Sequence, residues 1–208
     1  MHSWSRGNKR DFLWRSPRCS PYVVLISEML LRKTKAETVD RVIRPFFKKY
    51  PNPKKLANAS TSEVIKTLKP LGLHRMRGKA IKVIGKRLSS IRYKRFLKDY
   101  DNIISLPHVG RYVANAVLCL SYGKQTPMVD ANIVRLMNRV FGIRRPVEVH
   151  KADKLWDFVA ELIPRGKACQ YNMAMLDFGA LVCTPRSPKC GICPLTSICR
   201  YGSGGRRR

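Results

Sequence analysis

Residues 106–120, LPHVGRYVANAVLCL, contain a tight turn followed at once by a helical pattern. The turn signal is Leu106 to Gly110, which combines a proline with a glycine between apolar stretches. Arg111 to Leu120 then places apolar residues at helical spacing. The stretch therefore predicts a helix, a tight turn and a second helix. On spacing alone, a simple turn between two core helices is the less favoured alternative.

The predicted turn has physical reasons to bind a phosphate group. Gly110 has no side chain to keep another molecule away from the backbone, and the helix that begins at Arg111 presents unpaired N–H groups and the positive end of its dipole. Such a contact positions nucleic acid without reading its sequence. Val109, Gly110 and Arg111 are therefore candidate DNA contacts.

The charge of the chain favours a polyanionic partner. Its 208 residues carry 42 Lys and Arg against 13 Asp and Glu, a formal net charge of +29, so nucleic acid is the leading expectation. No stretch approaches the roughly 18 uninterrupted apolar residues of a membrane-spanning helix, and the basic N-terminus lacks the apolar run of a signal peptide. We expect no membrane partner and a cytoplasmic, nucleoid-associated protein in a reducing compartment.

Helical spacing recurs along the chain, whereas sustained two-residue alternation does not. Hydrophobic residues make up 44% of the chain, enough for a buried core. The sequence therefore predicts an all-α fold. Further helices are predicted at residues 22–31, 36–50, 61–68, 79–91, 131–141, 152–162 and 169–181.

Four cysteines near the end of the sequence give the strongest local signal. Cys183, Cys190, Cys193 and Cys199 have the spacing Cys-x6-Cys-x2-Cys-x5-Cys. Four thiolates can hold a [4Fe-4S] cluster or a tetrahedral zinc ion, and spacing alone leaves iron and zinc comparable. Two disulfides are disfavoured in a reducing compartment. The other cysteines are expected to be packed thiols: Cys19, Cys119 and Cys169.

Three motifs together carry a family resemblance: LPHVGRYVANAVL, VDANIVRLMNRVFG and CTPRSPKCGICPLTSIC. The chain resembles the endonuclease III family of helix-hairpin-helix DNA glycosylases with an iron-sulfur cluster, from about Tyr22 to Cys199. The resemblance implies a [4Fe-4S] cluster on the four cysteines and a two-lobe all-α fold. Residues 22–124 would form a helical barrel, and residues 1–21 and 125–208 the cluster lobe. Double-stranded DNA would lie in the cleft between them.

Asp130 is the candidate catalytic residue. Cleavage of an N-glycosidic bond develops positive charge on the deoxyribose, and a carboxylate beside that carbon stabilises the charge or aligns a water molecule. An Asp before a helix is also an ordinary N-cap. Both roles can coexist, because capping N–H groups keep the carboxylate ionised.

The resemblance also assigns candidate roles to Tyr112, Glu28, Arg32 and Lys33. Tyr112 occupies the position of a lysine that forms a Schiff base with the sugar in strand-cleaving relatives. A phenol cannot do so, which implies a monofunctional glycosylase. Glu28, within an apolar run, resembles a pocket carboxylate that recognises or protonates the leaving base; structural roles remain open for both Glu28 and Tyr112. Arg32 and Lys33 lie where relatives insert a side chain into the gap left by a flipped base.

The substrate expected from the resemblance is thymine or uracil mispaired with guanine. Such mismatched pairs are weak, so flipping the base out of the duplex requires less free energy. LLRKT lacks the paired glutamines of adenine-specific relatives, VDAN has Ala131 where they usually have glycine, and the sequence stops soon after Cys199. The adenine-specific branch is the alternative, because it shares Tyr112 and Glu28. A DNA-binding module with a structural or redox-sensing cluster is the non-enzymatic alternative. We expect a monomer.

Overall fold

The computed structural model describes residues 2–17 and 19–204, and every regular element in this part of the chain is helical. The all-α prediction is confirmed. The last four residues of the C-terminal segment GSGGRRR, expected from its composition to be flexible, lie outside the described residues. In chain order the α-helices are α1 (His2–Arg6), α2 (Pro21–Leu31), α3 (Ala36–Lys49), α4 (Pro53–Asn58), α5 (Thr61–Thr67), α6 (His74–Ser89), α7 (Tyr93–Phe96), α8 (Tyr100–Ile104), α9 (Arg111–Tyr122), α10 (Ala131–Phe141), α11 (Asp153–Glu161), α12 (Ala168–Leu181) and α13 (Arg200–Gly204).

The chain divides into two compact units. Residues 11–124 form one, called here the hairpin unit, and residues 1–10 with 125–208 form the other, called the cysteine unit. Residues 11–21 pack in the hairpin unit rather than in the cluster lobe that the resemblance implied for them. The reason is that Phe12 and Trp14 stack on each other, 4.8 Å between ring centroids, and are buried in its hydrophobic core.

The core of the hairpin unit is built around α2, which packs against α9 and α3. Nearly all of α2 is buried, because it is apolar on all sides rather than along one stripe. Ser20 caps the helix by accepting a hydrogen bond from the Val23 amide at 3.3 Å, and Pro21 occupies its first position. Among the helices described here, none has the length and apolar content needed to cross a membrane.

In the cysteine unit, α12 is the central helix. It packs against α10 and α1. Trp4 meets Phe178 edge to face, with 5.1 Å between ring centroids. The Arg10 guanidinium donates to buried Asp177 at 2.7 Å. These contacts attach the first ten residues to helices formed by the C-terminal third of the chain.

Candidate functional site

Asp130 is the N-cap of α10 and is half-buried. Its Oδ1 accepts hydrogen bonds from the Asn132 and Ile133 amides at 2.8 and 2.9 Å, and its Oδ2 accepts one from Asn132 Nδ2 at 2.6 Å. An ionised carboxylate has about four acceptor positions, so three donors leave room for one more. The capping role expected from the sequence is present, and it leaves Oδ2 able to accept from a ligand or water.

Burial sets the pKa of Asp130. Desolvation raises the pKa above its ordinary value, while the hydrogen bonds from Ile133 and Asn132 and the charge of Arg135 act in the opposite direction. The cap contacts therefore favour the ionised form, as the sequence led us to expect. Their effect on the pKa is smaller than that of burial. A carboxylate with a raised pKa is a better proton acceptor than an ordinary helix cap.

We expect the stability of the protein relative to Asp130→Asn to increase as the pH falls from neutral through the raised folded-state pKa of Asp130. A raised folded-state pKa means that the folded chain takes up this proton at a higher pH than the unfolded chain. The cost of the buried charge is thus present above the folded-state pKa and is relieved as the pH falls through it. Urea unfolding of both proteins at several pH values measures this difference. A difference that does not change with pH would contradict the assignment.

A segment without regular secondary structure, residues 123–129, leads to Asp130. Asn172 on α12 is fully buried and supports this segment. Its Oδ1 accepts from the Met128 amide at 3.0 Å, and its Nδ2 donates to the Thr126 carbonyl at 2.8 Å. The side-chain amide thus satisfies backbone groups that would otherwise need a neighbouring strand. Sequence reasoning missed Asn172, because the contact joins residues more than forty positions apart.

A chain of hydrogen bonds connects Asp130 to the first of the four cysteines. Asn132, which donates to Asp130, accepts from Arg135 Nη2 at 2.8 Å. Arg135 Nε donates to the Cys183 carbonyl at 2.8 Å, and its Nη2 also donates to the Gly179 carbonyl at 2.7 Å. A Cβ at Gly179 would lie 2.8 Å from Asn132 Cβ, so this approach of α12 requires glycine. Two side chains therefore join the candidate catalytic acid to the cysteine segment.

The four cysteines line one cavity, as a metal cluster site requires. Among residues 2–17 and 19–204, no three potential ligands lie close enough together to hold a single metal ion; the thiols instead surround the cavity. Burial raises the pKa of Cys190, and Cys193, Cys199 and Cys183 raise it further. Four thiolates at this site therefore need positive charge at their centre, and the donor set fits an iron-sulfur cluster.

Arg139, also buried, holds the start of the cysteine segment. It donates to the carbonyls of Thr184 and Pro185 at 2.6 and 2.8 Å and to Cys183 Sγ at 3.5 Å. The guanidinium thus fixes a loop that has no regular structure of its own. A bound cluster would tie this loop to Cys199, directly before α13.

The predicted hairpin turn is present between α8 and α9. The Val109 amide donates to the Leu106 carbonyl at 3.2 Å, and Gly110 is the N-cap of α9. His108 has a left-handed backbone, φ 62°, a conformation that favours glycine. Gly110 itself is extended, φ −112°, and a Cβ at this position would meet nothing within 4 Å. Its glycine is not needed for packing, which leaves the backbone open to a ligand.

The segment with Arg32 and Lys33 contacts this turn. Arg32 Nη1 donates to the His108 carbonyl at 3.0 Å, whereas Lys33 is exposed with φ 56°. The buried Arg77 of α6 holds the segment by donating to the Arg32 carbonyl and to Thr34 Oγ1. Sequence reasoning missed Arg77, because it lies before residue 79, where the helix was predicted to begin.

Glu28 and Tyr112 lie on two helices of the hairpin unit that pack against each other, α2 and α9. Glu28 is only 2% exposed among apolar neighbours. Tyr112 is half-buried in the first turn of α9, directly after the turn. The fold therefore brings one buried carboxylate and one phenol to the helix pair that carries the hairpin.

Two family models match this arrangement. Residues 26–161 match the HhH-GPD superfamily of base excision DNA repair proteins, and residues 183–199 match the iron-sulfur binding domain of endonuclease III. The chain belongs to the HhH-GPD superfamily. The predicted resemblance is confirmed, as is the expectation of a [4Fe-4S] cluster as cofactor.

Individual relatives place the chain more closely within the HhH-GPD superfamily. A thymine/uracil-DNA glycosylase of Methanothermobacter thermautotrophicus is 38% identical over 93% of this chain and 87% of the relative. An adenine DNA glycosylase of Mycolicibacterium smegmatis is 33% identical over 98% of this chain and 68% of the relative. The solved structure of a thermostable thymine-DNA glycosylase has a TM-score of 0.89 and 36% identity, covering 98% of this chain and 93% of that one.

Proposed function

We propose that this member of the HhH-GPD superfamily is a monofunctional DNA glycosylase that releases thymine or uracil mispaired with guanine. The observation that carries the proposal is Asp130, an acid with a spare acceptor position that neighbouring residues hold at the start of α10. The higher identity to a thymine/uracil enzyme than to an adenine enzyme supports the choice of substrate. Double-stranded DNA with a mismatched base is the partner, and the enzyme acts as a monomer in the cytoplasm, associated with the nucleoid.

In this proposal, the base leaves with the electron pair of the N-glycosidic bond, and water adds to the sugar carbon. The Asp130 carboxylate stabilises the positive charge that develops on the sugar and accepts a proton from the water. Glu28 binds or protonates the leaving base from its apolar surroundings. Tyr112 packs against the flipped nucleotide and, without an amine, forms no covalent bond to the sugar, so the product is an intact strand with an abasic site.

The hairpin turn and the neighbouring segment position the duplex. The open backbone of Val109 and Gly110 and the start of α9 at Arg111 bind a phosphate. Lys33 lies beside this turn with an exposed side chain and is available to DNA. Arg32 supports the turn by donating to its carbonyl, which limits its freedom to enter the base stack.

A panel of labelled duplexes tests the proposal. Under single-turnover conditions, we expect base release from G·T and G·U duplexes and much slower release from adenine opposite 8-oxoguanine. Strand breaks are expected only after treatment with alkali, because Tyr112 cannot cleave the strand.

Each other outcome favours a named alternative. Activity only on the adenine duplex would assign the chain to the adenine-specific branch. Strand cleavage without alkali would contradict the monofunctional assignment. Tight binding without any base release would favour a DNA-binding module.

A further inference from the structure

One groove of the hairpin unit is lined mainly by basic side chains. It has a volume of about 420 Å³ and lies between α5, the turn that follows it and the start of α6. Ser62 and Ile65 contribute the remaining lining, and no carboxylate lines the groove in the described part of the chain. The basic residues of this groove are Lys66, Lys69, His74, Arg75 and Lys79.

The positive charges of this basic groove are not neutralised within the chain. In the described residues, none of its four lysine and arginine side chains forms an ion pair with a carboxylate. Glu63, the acid on α5, is engaged elsewhere: it accepts from Lys49 Nζ at 3.3 Å and closes a capping box with Ser60. Like charges held together repel each other, and an anion bound between them relieves that repulsion.

The walls of the basic groove are rigid. A Cβ at Gly78 would lie 2.5 Å from Ile65 Cγ1, so α6 packs directly on α5 beneath the groove. Val64, Leu68 and Leu71 are buried in the core behind it. The lysine side chains therefore extend from a fixed backbone. Binding of a ligand costs little conformational entropy in the helices that carry them.

The basic groove is also connected to the hairpin turn. Arg75 lines the groove on the first turn of α6, and two residues later Arg77 donates to the Arg32 carbonyl. Arg32 in turn donates to the His108 carbonyl of the hairpin turn. The groove and the turn thus belong to one connected stretch of the same unit.

We propose that the basic groove binds the sugar-phosphate backbone of duplex DNA that flanks the site of base release, as a second phosphate contact beside the hairpin turn. Several unpaired cations along a groove of this size suit a chain of phosphodiesters better than one isolated phosphate. The inference depends on the proposed function only in taking DNA as the polyanion.

The test uses a mismatch-free duplex of about 30 base pairs, so that it does not depend on base release. We expect the triple variant Lys66→Ser, Lys69→Ser and Lys79→Ser to bind this duplex roughly tenfold more weakly near 0.1 M salt. The slope of log affinity against log salt should become shallower by about two to three, because three phosphate contacts are lost.

A matched control removes the same charge from the same unit outside the groove: Lys48→Ser, Lys54→Ser and Lys55→Ser. These three lysines are exposed on α3 and α4. We expect the control to keep most of the affinity and of the salt slope. Equal losses in both triple variants would overturn the proposal, because net charge alone would then explain binding.

A second measurement uses the unaltered protein and so does not depend on the folding of a variant. Lysine acetylation with and without the duplex, read by mass spectrometry, should show DNA-dependent protection of Lys66, Lys69 and Lys79. Acetylation of these lysines at equal rates in both states would also overturn the proposal.

Discussion

Replacing Asp130 by asparagine will lower the single-turnover rate of base release by a factor on the order of 10³ or more. The substitution removes the negative charge that stabilises the positive charge developing on the sugar. It also turns an acceptor into a donor: the amide of the variant faces Asn132 Nδ2, which donates to Asp130 Oδ2 at 2.6 Å. Asn132 cannot simply rotate to compensate, because its Oδ1 accepts from Arg135.

The measurement is the rate of base release from G·T and G·U duplexes at saturating enzyme. Asp157→Asn is the matched control, since Asp157 is an exposed acid on α11 of the same unit. The control should retain the rate of the unaltered enzyme. An Asp130→Asn variant that folds, binds DNA and still releases base at a rate within tenfold of the original would refute the catalytic assignment.

Replacing Cys199 by alanine will remove the iron and lower the melting temperature by about 10 °C or more. Cys199 is buried beside α13, and its Sγ accepts from the Gly202 amide at 3.4 Å. A structural metal contributes several kcal/mol to folding, and each kcal/mol corresponds to about 2–4 °C in a chain of this size. Iron content, acid-labile sulfide, visible absorption and thermal unfolding measure the effect.

Cys169→Ala is the matched control for this experiment. Cys169 is a half-buried thiol on α12, outside the set of four cysteines. The control should keep its iron and its visible absorption. Retention of full iron and unchanged melting in Cys199→Ala would contradict the assignment of Cys199 as a ligand.

Local signals in the sequence were sufficient for most of the helices. Helix α5, predicted at residues 61–68, begins with a capping box at Ser60 and Glu63, and α9 begins at Arg111 as the turn signal indicated. The short helix α4 is not among the predicted helices, because Pro51 and Pro53 are typical signals of a break between helices. Pro53 in fact occupies the first position of α4, where its missing N–H costs nothing, and Asn52 caps the helix.

The start of α6 and the supports of Asp130 show where sequence patterns fail. Helix α6 begins at His74 rather than near residue 79, because its first turns bury Arg77 and Gly78, which do not belong to an apolar stripe. The capping role of Asp130 depends on neighbours in sequence and was predictable. Its support by Asn172 depends on packing between distant segments, which no local pattern records.

Asn172 shows that an intact motif does not guarantee an intact active centre. Its side-chain amide hydrogen-bonds the main chain on either side of Pro127, and these two bonds do not depend on which side chains that stretch carries. One residue inserted early in α12 would rotate the asparagine side chain by about 100° around the helix axis. The VDAN motif would remain unchanged. The VDAN motif alone therefore does not show that a homologue is an active enzyme, because the residue that supports its aspartate can be missing.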